Sequence, residues 1–227
     1  MPRDWTFYEH PGEYQGEPSV RIACTQRTDQ AKLVRAWADA LPKLTDLREI
    51  DFCSRFPNAL IQPVAQMAWL EKLKIKWSGL TSIEAWGSLT SLREFCLGSS
   101  PSLADPQTVL KWPHLKLVTF DNVRANFDTE WMSDLRNLSV LGINGSWSTS
   151  QIIKTLWPLQ GLGLETLVLI NTRIVDKDSL FVCAQMKKLK TLHTAYRWPR
   201  GSLERLSEMR KDLTINGMTW PNFVSPV

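Results

Sequence analysis

At 227 residues, with 43% hydrophobic and 22% charged residues, the chain has the composition of an ordinary globular protein that buries a sizeable core. Its 27 Lys and Arg against 23 Asp and Glu leave a net charge of +4, spread along the chain instead of gathered in blocks, which argues against an unselective nucleic-acid binder. No segment approaches about eighteen consecutive apolar residues, and the start, MPRDWTFYEHPGEYQGEPSV, has acidic and aromatic residues where a secretory signal needs an apolar run; a soluble, cytoplasmic protein with no membrane span is expected.

In chain order, residues 1–18 are rich in Pro, Gly and aromatics and read as an N-terminal tail that caps the open end of the first repeat. SVRIACT from Ser19 predicts a leading strand, and TDQAKLVRAWADAL predicts a short amphipathic helix. A motif L-x-x-L-x-L then recurs: LREIDF from Leu47, LEKLKI from Leu70, LREFCL from Leu92, LKLVTF from Leu115, LSVLGI from Leu138, LETLVL from Leu164 and LKTLHT from Leu189. The steps between these starts are 23, 22, 23, 23, 26 and 25 residues. DLTINGM reads as a closing strand, and residues 219–227 as a C-terminal tail.

Self-similarity at this period is the mark of a solenoid, because a unit so short cannot bury its own apolar side. The stretch LEKLKIKWSGLTSIEAWGSLTSLREFCL follows L-x-x-L-x-L-x-x-N/S-x-L-x-x-I-x-x-L-x-x-L, and on these residues the sequence resembles the leucine-rich repeat (LRR) family. The resemblance spans roughly Ser19 to Met218 and implies an α/β solenoid, a curved horseshoe with a parallel concave sheet and short helices or turns on its convex side. About seven clear repeats and two degenerate end repeats would occupy residues 19–218.

The return segments agree with this phase. Three residues before the strands stand Leu44, Met67, Leu89, Trp112, Leu135 and Met186; six before stand Leu41, Val64, Trp86, Val109, Met132 and Cys183. Both columns are expected in the core, which accounts for several of the eleven tryptophans. The inter-turn asparagine of the family falls at Asn122 and Asn171, one place early, with Ser78, Ser100 or Ser146 standing nearby elsewhere. The longer sixth repeat, around STSQIIKTLWPLQGLGLETL, predicts a helix ended by Gly161 or Gly163. Helices are expected on the later repeats and only turns on LTSIEAWGSLTSL.

Side chains alternate along a strand, so with the first, fourth and sixth places buried, the third, fifth and seventh face outward. The early strands offer Glu49, Asp51, Arg55, Lys72, Lys74 and Lys76, while the later ones offer Leu117, Val140, Val168 and Ile170, with His193 beyond. An apolar patch beside charges is the usual form of a protein-binding surface. Trp77, Trp147, Tyr196, Arg197 and Trp198 follow their strands and line a rim, where aromatics serve as binding anchors.

Nothing in the sequence points to catalysis. His193 has no nucleophile beside it, GLGLE from Gly161 precedes a strand where a phosphate loop must follow one, and Cys24, Cys53, Cys96 and Cys183 lack disulfide or zinc spacing. No cofactor or metal is expected. As the resemblance implies, the chain reads as a non-enzymatic protein-protein interaction module, and narrowly as an inhibitor or immunity protein that neutralises a toxin. A regulatory adaptor subunit and a secreted effector aimed at a host protein are the alternatives.

Overall fold

The first, fourth and sixth places of all seven repeats are at most 2% exposed, from Leu47, Ile50 and Phe52 through to Leu189, Leu192 and Thr194. This burial comes from a computed structural model that describes residues 6–25, 28–123, 127–146, 148–195 and 198–217. Each fully buried aliphatic side chain favours the folded state by about 1.5–3 kcal/mol, but only once a neighbouring rung covers it. The chain divides into two units, 1–115 and 116–227.

The first unit contains β1 (Thr6–Tyr8), β2 (Ser19–Ile22), α1 (Gln30–Ala40), β3 (Glu49–Phe56), α2 (Ile61–Ala65), β4 (Lys72–Ser78) and β5 (Glu94–Ser99). The five strands are parallel and stand side by side in chain order, with Val20, Ile50, Leu73 and Phe95 in register. The segment read as a tail thus supplies a strand, β1, paired to β2 through Phe7 and Arg21. Helix α1 forms where Leu33, Val34 and Trp37 recur at helical spacing, and it buries that face.

Between β4 and β5 the chain returns through a single 3-10 stretch, Glu84–Ser88. Trp86 lies inside it and is fully buried. Its ring meets Phe56 edge-on at 5.6 Å and Phe95 at 6.2 Å, and Phe95 meets Trp112 at 4.9 Å. The buried indoles keep their hydrogen bonds: Trp86 Nε1 donates to the Ile61 carbonyl and Trp112 Nε1 to the Trp86 carbonyl.

The second unit contains β6 (Leu117–Asp121), β7 (Val140–Asn144), β8 (Gln151–Ile153), β9 (Thr166–Leu169), β10 (Thr172–Ile174), α3 (Val182–Gln185), β11 (Thr191–Thr194), α4 (Ser202–Met209) and β12 (Thr214–Gly217). Strands β6, β7, β9, β11 and β12 are parallel, with Val118, Leu141, Leu167, Leu192 and Ile215 in register. Near the C-terminal end Arg210 donates to the carbonyls of Cys183, Met186 and Leu189 and pairs with Asp212 at 2.7 Å, satisfying acceptors that the return segment leaves open.

Three expectations are corrected. The insertion in the sixth repeat is not a helix: it forms β8, which pairs in parallel with β10, followed by a 3-10 turn at Trp157–Leu159. The β-branched pair Ile152 and Ile153 favours the strand and Pro158 interrupts any helix. The later repeats return mainly through 3-10 turns at Glu130–Asp134, Trp157–Leu159 and Lys177–Phe181, with α3 a single turn, while the last return carries the expected helix as α4.

The third correction, to the asparagines, is partial, since Asn171 does bond the backbone of the neighbouring rung as expected. Asn122 and Asn171 have positive φ, 48° and 50°, so each marks a left-handed turn after its strand. Asn171 also donates to the Ser146 carbonyl at 2.6 Å. Asn144 accepts from the Ile170 amide at 2.9 Å and so carries a bond between rungs that the sequence did not assign to it. In the first unit serines take this place, with Ser78 and Ser100 joined through their hydroxyls at 2.6 Å.

The aromatic file through Trp86 is a direct test of this core. Trp86→Ala should lower the unfolding free energy by about 3–5 kcal/mol in urea titrations, whereas Trp86→Phe should lose less because the edge-on contacts partly survive.

Candidate functional site

The strands of the first unit set charged side chains in two lateral rows. The third-place row runs Ser19, Glu49, Lys72, Glu94 in register, and the fifth-place row runs Arg21, Asp51, Lys74, Cys96. Lys72 Nζ lies 3.1 Å from Glu49 and 3.0 Å from Glu94, so one ammonium bridges two neighbouring strands. Arg21 Nε pairs with Asp51 at 2.9 Å. Arg21 and Glu94 also fall at outward places by strand alternation, and their ion pairs add them to the charged rows.

At the C-terminal ends of the same strands the register shifts between Phe52 and Arg55, bringing Arg55 opposite Trp77. The Arg55 guanidinium sits 5.9 Å from the Trp77 ring centroid in a cation–π contact. Lys76 and Arg55 are exposed, and Trp77 is half-buried. Beside Lys76 stands Gly98, where a Cβ would come within 1.8 Å of the Lys76 carbonyl oxygen. The close backbone approach requires a glycine there and leaves no β5 side chain to cover that flank of the lysine. Arg55 also lines a cleft of about 300 Å³ with Thr25, Gln30 and Asn58.

The second unit differs. The expected apolar outward zone is covered: Leu117 is 8% exposed, and Val168 and Ile170 are each 1% exposed. Strands about 4.8 Å apart let apolar side chains of neighbouring rungs lie against one another, as Leu117 and Val140 do in register; Val140 stays half-buried. Val168 stands in register between Gly142 and His193, and the Ile170 backbone is drawn inward by its bond to Asn144. Trp198 is also covered, 9% exposed, with its indole donating to Thr194 Oγ1 at 3.0 Å, so it is packing and not an open rim. Trp147, Tyr196 and Arg197 lie outside the described residues.

Chemically reactive groups are subdued. His193 is half-buried, its Nδ1 has no hydrogen-bond partner, and loss of solvation lowers its pKa, which keeps the imidazole neutral. Burial pushes the Cys24 thiol up to about 11 and the Cys183 thiol to about 12, and raises that of Cys53, so these are poor nucleophiles. Among the described residues no three His, Cys, Asp or Glu side chains gather as a metal site would require. A cleft of about 370 Å³ lined by Phe127, Asp128, Glu130, Ile152, Lys154 and Val175 was not foreseen, because it depends on β8 and β10.

Parallel strands at a 22- to 26-residue period, each with the same three buried places and a short 3-10 or helical return, define a leucine-rich-repeat fold. Solved structures similar to the chain include internalin C2 of Listeria monocytogenes, with a TM-score of 0.60 at 18% identity, covering 79% of this chain and 74% of that one. They also include a second internalin of that organism, inlF, with a TM-score of 0.64 at 15% identity over 88% of this chain and 54% of the other. An LRR protein of Leptospira interrogans has a TM-score of 0.55 at 17% identity over 94% and 58%. The chain therefore spans little more than half the length of the last two. No protein-family model and no curated protein sequence matches it.

One carboxyl provides a pH-dependent probe of the second unit. Asp121 reaches the surface in part, yet the crowding around its carboxyl pushes its pKa up to about 6, against a single opposing hydrogen bond of 2.8 Å from Asn144. Between pH ~4 and ~6 the folded chain retains this proton and the unfolded chain has lost it. The group's contribution is therefore full below pH ~4 and is lost as pH rises through about 6. Asp121→Asn keeps an acceptor for Asn144, so it should raise the melting temperature at neutral pH, by less than about 3 kcal/mol of stability, and leave it nearly unchanged at pH ~4. Thermal melts of both proteins across that range measure the difference.

Proposed function

We propose that this protein is a non-enzymatic binding module that holds another protein against the strand face and rim of its first unit. The observation that carries the reading is the wiring of that face. Glu49, Lys72 and Glu94 bridge β3, β4 and β5, and Arg21 and Asp51 join β2 to β3, which fixes a charged surface in one geometry. The Lys72 side chain is only 12% exposed, and covered ion pairs of this kind add little net stability compared with apolar residues packed in their place, so folding alone does not call for them. At the end of the same face Arg55 is exposed against the half-buried Trp77, two residue types that anchor interfaces, and Lys76 is exposed next to them. The leucine-rich-repeat likeness supports a platform that binds proteins, by analogy of fold.

Within this proposal the binding residues are Glu49, Asp51, Arg55, Lys72, Lys74, Lys76 and Trp77, all in the first unit. The covered positions Leu117, Val168, Ile170 and Trp198 drop out. The narrower proposal is that binding silences the partner, as an inhibitor or immunity protein does to a toxin, in the cytoplasm. Among the described residues no helix is long and apolar enough to cross a membrane.

Affinity capture from the native cell with the tagged full chain tests the platform, and adding the chain to the captured partner's own assay tests inhibition. The reversal Lys74→Glu with Lys76→Glu should remove a stoichiometric partner while the circular dichroism stays that of the wild type, with the melting temperature lowered only by the like charge set opposite Asp51. Retention of the partner by this variant would place binding elsewhere.

A further inference from the structure

The face assigned to binding carries more positive than negative charge, and the excess gathers at one end. On β2 to β5 the outward cations are Arg21, Arg55, Lys72, Lys74 and Lys76, five against the three carboxylates Glu49, Asp51 and Glu94, a surplus of two. All three carboxylates are engaged within the face: Glu49 and Glu94 by Lys72, and Asp51 by Arg21, with Lys74 beside Asp51 in register. Lys76 and Arg55 lie beyond those rows, at the strand ends, and both are exposed. Gly98 clears one flank of Lys76, and the cleft with Thr25 and Asn58 opens beside Arg55.

We infer that the segment held there is acidic: a stretch of a partner protein whose carboxylates pair with Lys76 and Arg55, one of them entering the cleft beside Arg55. The inference rests on the reading of this face as the binding surface. A planar guanidinium held on an indole presents its donors in a fixed fork that suits a carboxylate. The cleft beside it, lined by Thr25, Gln30 and Asn58 together with Phe56 and Pro57, leaves room for the short side chain of an Asp or Glu. A nucleic-acid strand suits the face less well, because its regularly spaced phosphates would cross Glu49, Asp51 and Glu94 as well as the lysines.

Fluorescence anisotropy with a labelled octaglutamate peptide tests this at low ionic strength, with octaglutamine and an octauridylate RNA as comparisons. Two variants of equal charge change are compared: R55E/K76E at the proposed site, and K187E/K188E on exposed lysines of the second unit. Octaglutamate should bind the wild type and K187E/K188E alike and lose about tenfold or more in affinity with R55E/K76E, while octaglutamine does not bind. If R55E/K76E folds poorly by circular dichroism, the neutral pair R55Q/K76Q should show a smaller loss of the same sign. Equal losses in both reversed variants would overturn the inference, since net charge alone would then explain them. Tighter binding of octauridylate than octaglutamate through Arg55 and Lys76 would overturn it in favour of nucleic acid. A partner captured through Lys74 and Lys76 that octaglutamate does not displace would leave the platform standing and overturn the acidic segment. Site-specific octaglutamate binding with no captured protein would support the acidic site and count against the platform.

Discussion

One strand and one turn cannot form an interior, and this constraint shapes the whole molecule. Each rung of about 23 residues has three apolar strand positions and two in its return, and these leave water only when the rung before or after covers them. Register is therefore fixed: a slip of one residue would turn Leu73 and Ile75 outward and Lys72 and Lys74 inward. Large aromatics reinforce the stack in the first unit, where Phe56, Trp86, Phe95 and Trp112 touch in sequence. Trp86 and Trp112 each satisfy their one donor on a carbonyl of the preceding return segment.

The same constraint produces the candidate binding face. Burying alternate positions forces the others outward in rows about 4.8 Å apart, close enough for an ammonium on one strand to reach carboxylates on both neighbours, as Lys72 does. The rows of charge are partly covered and hold one another in place. In the second unit the outward places carry Leu117, Thr119, Gly142 and Val168, small or apolar groups that pack against their neighbours, and Asn144 ties the next rung's backbone inward. Two units with the same backbone plan thus present different surfaces because the outward columns differ.

The phase of the repeat was legible from the sequence because burial at three places per rung leaves a direct trace in the spacing of Leu, Ile and Phe. The return-segment columns were legible for the same reason, with Val64, Trp86, Val109 and Met132 all fully buried. The charged rows follow from alternation, and the structure brings Asp51 and Lys74 into register. What the sequence hid was set by tertiary context. An outward Val168 or Ile170 reads as exposed until the residues beside it are known, and Trp198 reads as a rim anchor until Thr194 Oγ1 is seen to accept its indole hydrogen bond. The insertion misled because an apolar run around Ile152 and Leu156 suits either a helix or a strand. The pairing of β8 with β10, some twenty residues on, decides between them.

If the strand ends of the first unit touch a partner protein, a photo-crosslinking residue placed at Lys76 should capture it, with the same residue at exposed Arg173 of the second unit as the comparison. Irradiation in the native cell should join one dominant protein to position 76 and none to position 173, and the joined peptide should be rich in Asp and Glu. A dominant adduct at position 173 with none at position 76 would move binding off the first unit.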